Sequence, residues 1–371
     1  MCKVHLLQSK SSGQPYPQPR LRDKHYPARV FRLTLLVYKS KIKYILVFDY
    51  FYYYYFFMKT PDVSVIVVSH ARPKELRQVL TSLYEQTLRD VEIIIVDNRS
   101  TSSPEIKNIV QQFRGTKLLQ NDENIGFARA INQGIHVAVG EYLYLSVDDV
   151  LLERECLEQF LMFHRSHSEV GLLSGILYYA RDPHTIECAG GELKLSRIYQ
   201  LKFNYFCERD TGQIKEPFHV TFILGGITFA PRNLLLQIGG FREDFYMYFE
   251  DAELSIRVKR LGYSLMVLPK AKLYDIIAPS NLQENFIGQQ KIRNLLALYL
   301  LHAQLRWLPI FYMGHLFFYT RNALRTGIGK SSICWQAWRA FLYTVPHLLG
   351  DRYRFWRLRQ RAGQNAPSER I

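Results

Sequence analysis

The chain has 371 residues, 48% hydrophobic and 22% charged, with a mean hydropathy of −0.13. That length and apolar content suffice for one large domain or two ordinary ones and exclude a disordered chain. No run approaches ~20 uninterrupted apolar residues, which excludes a polytopic membrane protein, and no repeat recurs at ~20–50 residues. The net charge of +15 sits at the ends: residues 1–60 and residues 296–371 each hold 11 Lys+Arg against 2 Asp+Glu, while 61–295 hold 26 against 29. A slightly acidic middle argues against a nucleic-acid partner, whereas basic, aromatic-rich ends suit an anionic membrane surface. The five cysteines (Cys2, Cys156, Cys188, Cys207 and Cys334) are widely spaced and form no C-x-x-C. A reducing cytosol fits them better than a disulfide framework or a structural zinc site.

Residues 1–57 show no core pattern. Pro15, Pro17, Pro19 and Pro27 break any periodicity, and the run 44–57 (YILVFDYFYYYYFF) is short for a span and interrupted by Asp49. No small-residue cleavage site marks a signal peptide. Two readings stay open: a membrane-associating segment, or an upstream extension of a chain that properly starts at Met58.

From Val63 the pattern becomes regular. Val63–Ser69 (VSVIVVS) and Val91–Asp97 (VEIIIVD) are continuous apolar runs of strand length, as buried parallel strands are. Between them 73–85 carries Leu76, Val79, Leu80 and Leu83 at helical spacing behind Pro73. Ser102 and Glu105 have the spacing of a capping box for a helix to about residue 113. A third strand over 116–120, a helix over 126–137 and a fourth strand over 142–146 follow. This alternation predicts an α/β fold with a mainly parallel central sheet. Over 295–305 and 307–319, apolar and aromatic runs predict amphipathic or interfacial helices, or else a helical subdomain packed on the core with a solvated basic end. Trp307, Trp335, Trp338 and Trp356 would anchor them, and Arg352, Arg354, Arg357, Arg359 and Arg361 form a basic tail.

Ligands of such sheets bind beyond the carboxyl ends of the strands. Here those ends read Ser69-His70-Ala71-Arg72, Asp97-Asn98 and Asp148-Asp149, which describes a polar crevice. It lacks the G-x-G-x-x-G turn of nicotinamide sites and the G-x-x-x-x-G-K-[ST] loop.

VSVIVVSHARPKELRQVLTSLYEQT, EIIIVDNRS, NDENIGFARAINQGI, LSVDDVLL and GGITFAPRNLLLQIGGFREDFYMYFEDAELSIRVKRLGY come in this order. Together they resemble the inverting glycosyltransferases of family 2, with the GT-A fold, and among them the rhamnosyltransferase-like branch that builds bacterial surface polysaccharides. The resemblance covers about residues 63–294. It implies a GT-A domain over 58–294, with a nucleotide-binding half to about 150 and an acceptor half from 151, followed by a helical tail over 295–371.

The resemblance also implies roles. Asp97 would contact the nucleotide base or ribose, as a carboxylate can accept from base N–H groups or hydroxyls; the same side chain could instead cap its own turn. Ser69, His70, Arg72 and Asn98 would border that pocket. Asn124 and Gly126 match the family's N-x-G pattern at a helix start, and Arg129 would reach a phosphate; Asn132 and Gly134 read as packing and capping residues. Asp149 takes the last acidic position of the family's D-x-D element, with Val147 at the first and Asp148 between. Asp149, Asp148 and Asp275, which stands where a histidine is common, would hold magnesium or manganese against the leaving diphosphate. Gly225 and Gly226 would let backbone approach the sugar. Asp251 would be the general base and Glu250 its orienting partner; both could equally be carboxylates favoured at a helix N-terminus. Arg293-Asn294 matches a recurrent pair to which the sequence assigns no role.

The expected partners are a nucleotide-diphosphate-sugar donor, a glycan or lipid-linked acceptor, and the cytoplasmic face of the cell membrane. Two rivals are a sugar nucleotidylyltransferase, which would carry a G-x-G-x-R signature that SHARPKE lacks, and a membrane-bound scaffold that has lost catalysis, suggested by Val147 and Asp275.

Overall fold

All seven residues of Val63–Ser69 are buried, and alternate side chains of a strand point to opposite faces. Both faces therefore need a cover. Val63, Val65 and Val67 pack with Leu76, Val79 and Leu80 and with Ile106, Ile109 and Val110 on one side. Ile66 and Val68 pack with Ala128, Ile131 and Ile135 on the other. The result is a helix–sheet–helix sandwich. It is seen in a computed structural model that describes residues 35–38, 41–44, 60–276, 284–326 and 328–362.

The chain divides into Met1–Lys59 and Thr60–Ile371. In the first unit, β1 (Leu35–Tyr38) and β2 (Lys41–Tyr44) pair antiparallel, Leu35 opposite Tyr44. The rest of the aromatic run to residue 57, and Met58, lie outside the described residues.

In the second unit, β3 (Val63–Ser69), β4 (Val91–Asp97), β5 (Lys117–Gln120) and β6 (Tyr142–Val147) are parallel, in the order β5-β4-β3-β6. Helices α1 (Pro73–Tyr84), α2 (Ser103–Gln112) and α3 (Phe127–Val137) make the crossovers. These bounds lie within a residue or two of the sequence reading. The expected capping box does not form. Ser102 Oγ is buried without a partner, and Ser103 Oγ donates instead to Asp97 Oδ2 at 2.6 Å.

The sheet continues on the β6 side. β7 (Val150–Leu152) leads to α4 (Cys156–Ser166), then to β8 (Val170–Tyr179) and β9 (Asp182–Cys188). β10 (Gly191–Leu195) and β11 (Tyr199–Phe203) form a separate hairpin. β12 (Glu208–Arg209) pairs with β9, and β13 (Phe218–Val220) pairs with β15 (Ser264–Asp275). β14 (Ile227–Pro231) lies antiparallel between β6 and β8 and joins the two halves. Stacked rings of Tyr142, Phe229 and Phe160 fasten this junction. β15 runs parallel to β8 and pairs with β7. Helix α5 (Arg232–Ile238) ends at Gly239 in the left-handed conformation, and α6 (Glu250–Arg260) begins at the Glu250-Asp251 pair.

Three helices close the unit: α7 (Glu284–His302), α8 (Leu308–Thr326) and α9 (Ile328–Ala362). A domain border at 294/295 falls inside α7. Leu296, Leu298, Tyr299 and Leu301 are fully buried in a cluster that also holds Phe245 and Ala252. Most of the stretch, 296–303, is thus packed on the core rather than presented as an interfacial helix, whereas Leu305 beyond it is exposed. Arg352 likewise leaves the expected basic tail: its guanidinium donates to the carbonyls of Leu300 and Ala303 at the end of α7. The side chains of Trp356, Arg357, Arg359 and Arg361 lie outside the described residues. No helix among the described residues is long and apolar enough to cross a membrane.

Candidate active site

Strand register sets the first half of the site. β3 and β4 align Ser69 with Asp97, and β3 and β6 align Val68 with Val147. The polar residues that follow therefore meet at one sheet edge. Asp148, buried, accepts from Ser69 Oγ and from the His70 backbone N–H, both at 2.9 Å. Arg72 Nη1 lies 3.3 Å from Asp148 Oδ1 and also bonds Asp149 Oδ2. His70 Nδ1 is 2.9 Å from the Asn98 carbonyl; a carbonyl only accepts, so Nδ1 carries the proton. The Asn98 amide donates to Asn124 Oδ1 at 2.9 Å and accepts from the Ile125 N–H at 3.1 Å. Ser69, His70, Arg72, Asn98, Asn124, Gly126, Asp148 and Asp149 thus form one connected network.

Two expected donor residues stand apart from it. Asp97 is 0% exposed, and its carboxylate accepts from Ser100 N–H, Ser103 Oγ and Gln120 Nε2. These bonds are those of a turn cap. Arg129 is exposed and pairs with Glu243 at 3.4 Å. Asn132 packs as read from the sequence: its side chain exchanges two hydrogen bonds with the Phe241 backbone.

The second half of the site is the loop into α6. Asp251 accepts from the backbone N–H groups of Ala252, at 2.8 Å, and Gly225. Burial pushes its carboxyl up to about 6, against the pull of those donors. Glu250 is buried with Oε2 unpartnered, and burial together with the neighbouring Asp251 charge drives its carboxyl well up. Of the two, Glu250 is held up by burial and by its neighbour's charge, and Asp251, with its backbone donors, is the one that more readily gives up its proton.

Gly225 and Gly226 tie the halves together. A Cβ on Gly226 would stand 3.1 Å from Val147 Cγ2, next to Asp148, and one on Gly225 would stand 3.4 Å from Asp251 Cβ. A side chain at either position would crowd the space between the two acid pairs. Gly126, with φ 83°, starts α3 beneath the Tyr246 ring; a Cβ there would lie 2.5 Å from Tyr246 Cδ2.

No three His, Cys, Asp or Glu side chains among the described residues form a ready metal cage. The acids nevertheless suit a hard cation that phosphate oxygens and water would complete. Asp275, at the end of β15, faces Glu187 on β9, and Asp149 adds its charge to the same spot. Burial, then Asp275, raises the Glu187 carboxyl to about 7, and its Oε2 is buried without a partner. Arg181 pulls the Glu187 carboxyl down and Arg72 pairs with Asp149, yet burial and the neighbouring acids prevail at Glu187. Glu187 escaped the sequence reading because it lies between motifs, in a strand whose alternation carries no chemical signature.

Residues 64–239 match glycosyl transferase family 2. Over 267 residues the chain is 25% identical to the amylovoran biosynthesis glycosyltransferase AmsE of Erwinia amylovora, covering 71% of this chain and 92% of that one. It is 33% identical over 105 residues to the putative glycosyltransferase EpsH of Bacillus subtilis, covering 28% of this chain and 30% of that one. Among solved structures, Staphylococcus aureus TarS 1–349 superposes with TM-score 0.50 at 18% identity, covering 84% of this chain and 94% of that one. GalNAc-T7 with UDP, GalNAc and Mn2+ gives TM-score 0.54 at 14% identity, covering 66% and 48%. The fold is thus that of the GT-A glycosyltransferases, and the family match with the AmsE similarity makes this a glycosyltransferase, an enzyme. The segment 64–239, just under half of the chain, is a glycosyl transferase family 2 domain.

Proposed function

We propose that the chain is an inverting, metal-assisted glycosyltransferase. It moves a hexosyl or deoxyhexosyl group from a nucleotide-diphosphate-sugar to a glycan or lipid-linked acceptor in cell-surface polysaccharide synthesis. The supporting observation is the contiguity of the two acid pairs across Gly225-Gly226. Asp251 then takes the proton of the acceptor hydroxyl as its oxygen bonds to the anomeric carbon. The bond from that carbon to the diphosphate breaks, and its electron pair leaves with the nucleoside diphosphate. Glu250, raised beside it, would favour the charge of the pair on Asp251. Asp149, Asp148 and Asp275 would hold magnesium or manganese, with Glu187 beside Asp275; the cation would offset charge on the departing diphosphate. Asn98, Asn124 and His70 line the donor side, and Asp97 supports it by holding the turn that carries Ser100. The test is a screen of UDP-, GDP- and dTDP-sugars with magnesium or manganese, read by release of nucleoside diphosphate. Absence of release from every donor, with and without acceptor extracts, would count against the reading.

An anionic membrane surface fits this acceptor. On α8 the side chains of Ile310, Met313 and Phe317 are 52%, 72% and 69% exposed and fall on one stripe at i, i+3 and i+7. The net positive charge of 296–371 complements anionic headgroups. Flotation with phosphatidylglycerol vesicles, and its loss in Met313→Ser/Phe317→Ser, is the expected outcome. Equal recovery with and without vesicles would dismiss it.

A further inference from the structure

The five residues before Glu250 run an unusual course. Tyr246, Tyr248 and Phe249 have φ of 59°, 67° and 67°, in the left-handed region that side chains with a Cβ disfavour. Each costs about 1 kcal/mol or more, so surrounding contacts must hold them. Those contacts come from α7. Asn294 is 0% exposed and aims Nδ2 at three carbonyl oxygens of this loop: Phe245 at 2.7 Å, Met247 at 2.9 Å and Tyr248 at 2.8 Å. Arg293 Nη1 donates to Asn294 Oδ1 at 2.7 Å and to the Asp244 carbonyl. A guanidinium only donates, so Arg293 fixes which end of the amide is oxygen and turns the NH2 toward the loop.

The loop is joined to the donor side as well. The Tyr246 carbonyl accepts from the Ala128 N–H at 3.1 Å, and the Tyr246 hydroxyl lies 3.1 Å from Asn124 Oδ1. One strained segment thus touches the Asn124-Gly126 turn at one point and leads into Glu250-Asp251 at its end.

We propose that Arg293-Asn294 is a positioning clamp: it holds 245–249 in this course and so sets the placement of Asp251 relative to the donor-side turn. The inference deepens the glycosyltransferase reading, in which Asp251 is the base. Asn294 touches no substrate; it acts through the backbone it holds.

Asn294→Asp keeps the shape but replaces the donating amine by an acceptor facing three carbonyls. Asn294→Ala removes the group. In both, hydrogen exchange followed by mass spectrometry should show the amides of 245–251 exchanging about 10-fold faster or more, with Val63–Ser69 and Val91–Asp97 unchanged. With the donor that the wild type turns over, kcat should fall about 10–10²-fold, with donor KM changing far less. A general loss of structure would instead raise exchange everywhere and lower activity only in proportion to folded protein.

Unchanged exchange in the loop of a folded variant overturns the clamp. Faster exchange with wild-type kcat overturns its role in positioning. If neither variant accumulates as folded protein, the pair is a folding requirement and the proposal falls. If the wild type turns over no nucleotide sugar, the glycosyltransferase reading fails, and the exchange data alone decide the clamp.

Discussion

The guanidinium of Arg72 bridges Asp148 and Asp149, standing 3.3 Å from one and bonded to the other. The Asp148 carboxyl is pushed up to about 7, first by burial and then by the Asp149 charge, while Arg72, the His70 N–H and Ser69 pull it down. Arg72 therefore supplies the positive charge that, under the proposed function, a cation would bring to the same two acids. Asp149 is the less buried of the two, and under the proposed function it is the acid that would meet the cation.

Asp149→Asn should weaken donor binding strongly in magnesium or manganese and little in chelator, since one charged oxygen ligand is lost. Calorimetric titration of nucleoside diphosphate under both conditions measures this. Equal loss in both would indicate a distorted crevice instead.

Asp251→Asn is nearly isosteric and cannot take a proton. Transfer should fall about 10²–10⁴-fold with donor affinity kept, and Glu250→Gln should cost less, because a protonated Glu250 and a glutamine differ little. A wild-type rate in Asp251→Asn together with an inactive Glu250→Gln would reverse the two assignments.

The pH–rate profile should follow the same group. A base works only when deprotonated, and the Asp251 carboxyl is raised to about 6. Transfer under saturating substrate should therefore rise with pH through about 6 and level off above it. In a glycosyltransferase assay, a limb that stays flat down to pH 4.5 would exclude a buried carboxylate as the base.

Much of this was legible beforehand for a simple reason. β3 and β4 are buried on both faces and must be continuously apolar, so their ends, and the polar residues after them, stand out. Asp148, Asp149 and Asp251 were readable as residues at element ends. Asp97 was ambiguous, because capping a turn and meeting a nucleotide call for the same carboxylate; only Ser100, Ser103 and Gln120 around it decide what it holds. Residues 295–305 were ambiguous because an apolar run looks the same whether it faces lipid or Phe245. Glu187 and Asn294 act through partners distant in sequence, and no local period encodes such a pairing.

Acid stability should depend on His302. Its Nδ1 accepts from Arg260 at 2.6 Å and its Nε2–H donates to Glu253 at 3.1 Å, both side chains being fully buried with it or partly so. Burial lowers the imidazole to about 4, and Arg257 with His302 holds Glu253 at about 2 although burial alone would raise it. An unfolded histidine takes its proton near 6.5, so the folded state is disfavoured as pH falls from about 6.5 toward 4, by on the order of 3 kcal/mol at most. The depressed Glu253 adds to the loss below about 4.3. His302→Gln preserves one donor and one acceptor and cannot charge. Its melting temperature should fall less than the wild type's between pH 6.5 and 4, the raised Asp251 being common to both. Parallel curves would refute this.

A chain beginning at Met58 should fold and bind donor, since β3 starts at Val63 and Thr60–Ile371 is a unit of its own. Circular dichroism and nucleotide titration against the full chain provide the check, and insoluble or unfolded product would contradict it.

The bond between His302 and Glu253 spans 49 residues, as do those from Asn294 to Phe245 and from Arg293 to Asp244. Such links close late when a protein is made from its N-terminus. On the ribosome, β3 to β6 can already pair while the loop at 245–249 still lacks the helix that braces it. Under the proposed function, newly made chains would therefore shape the donor-side strand ends before the base is held in place. A partial chain could then capture nucleotide sugar but have no means of spending it.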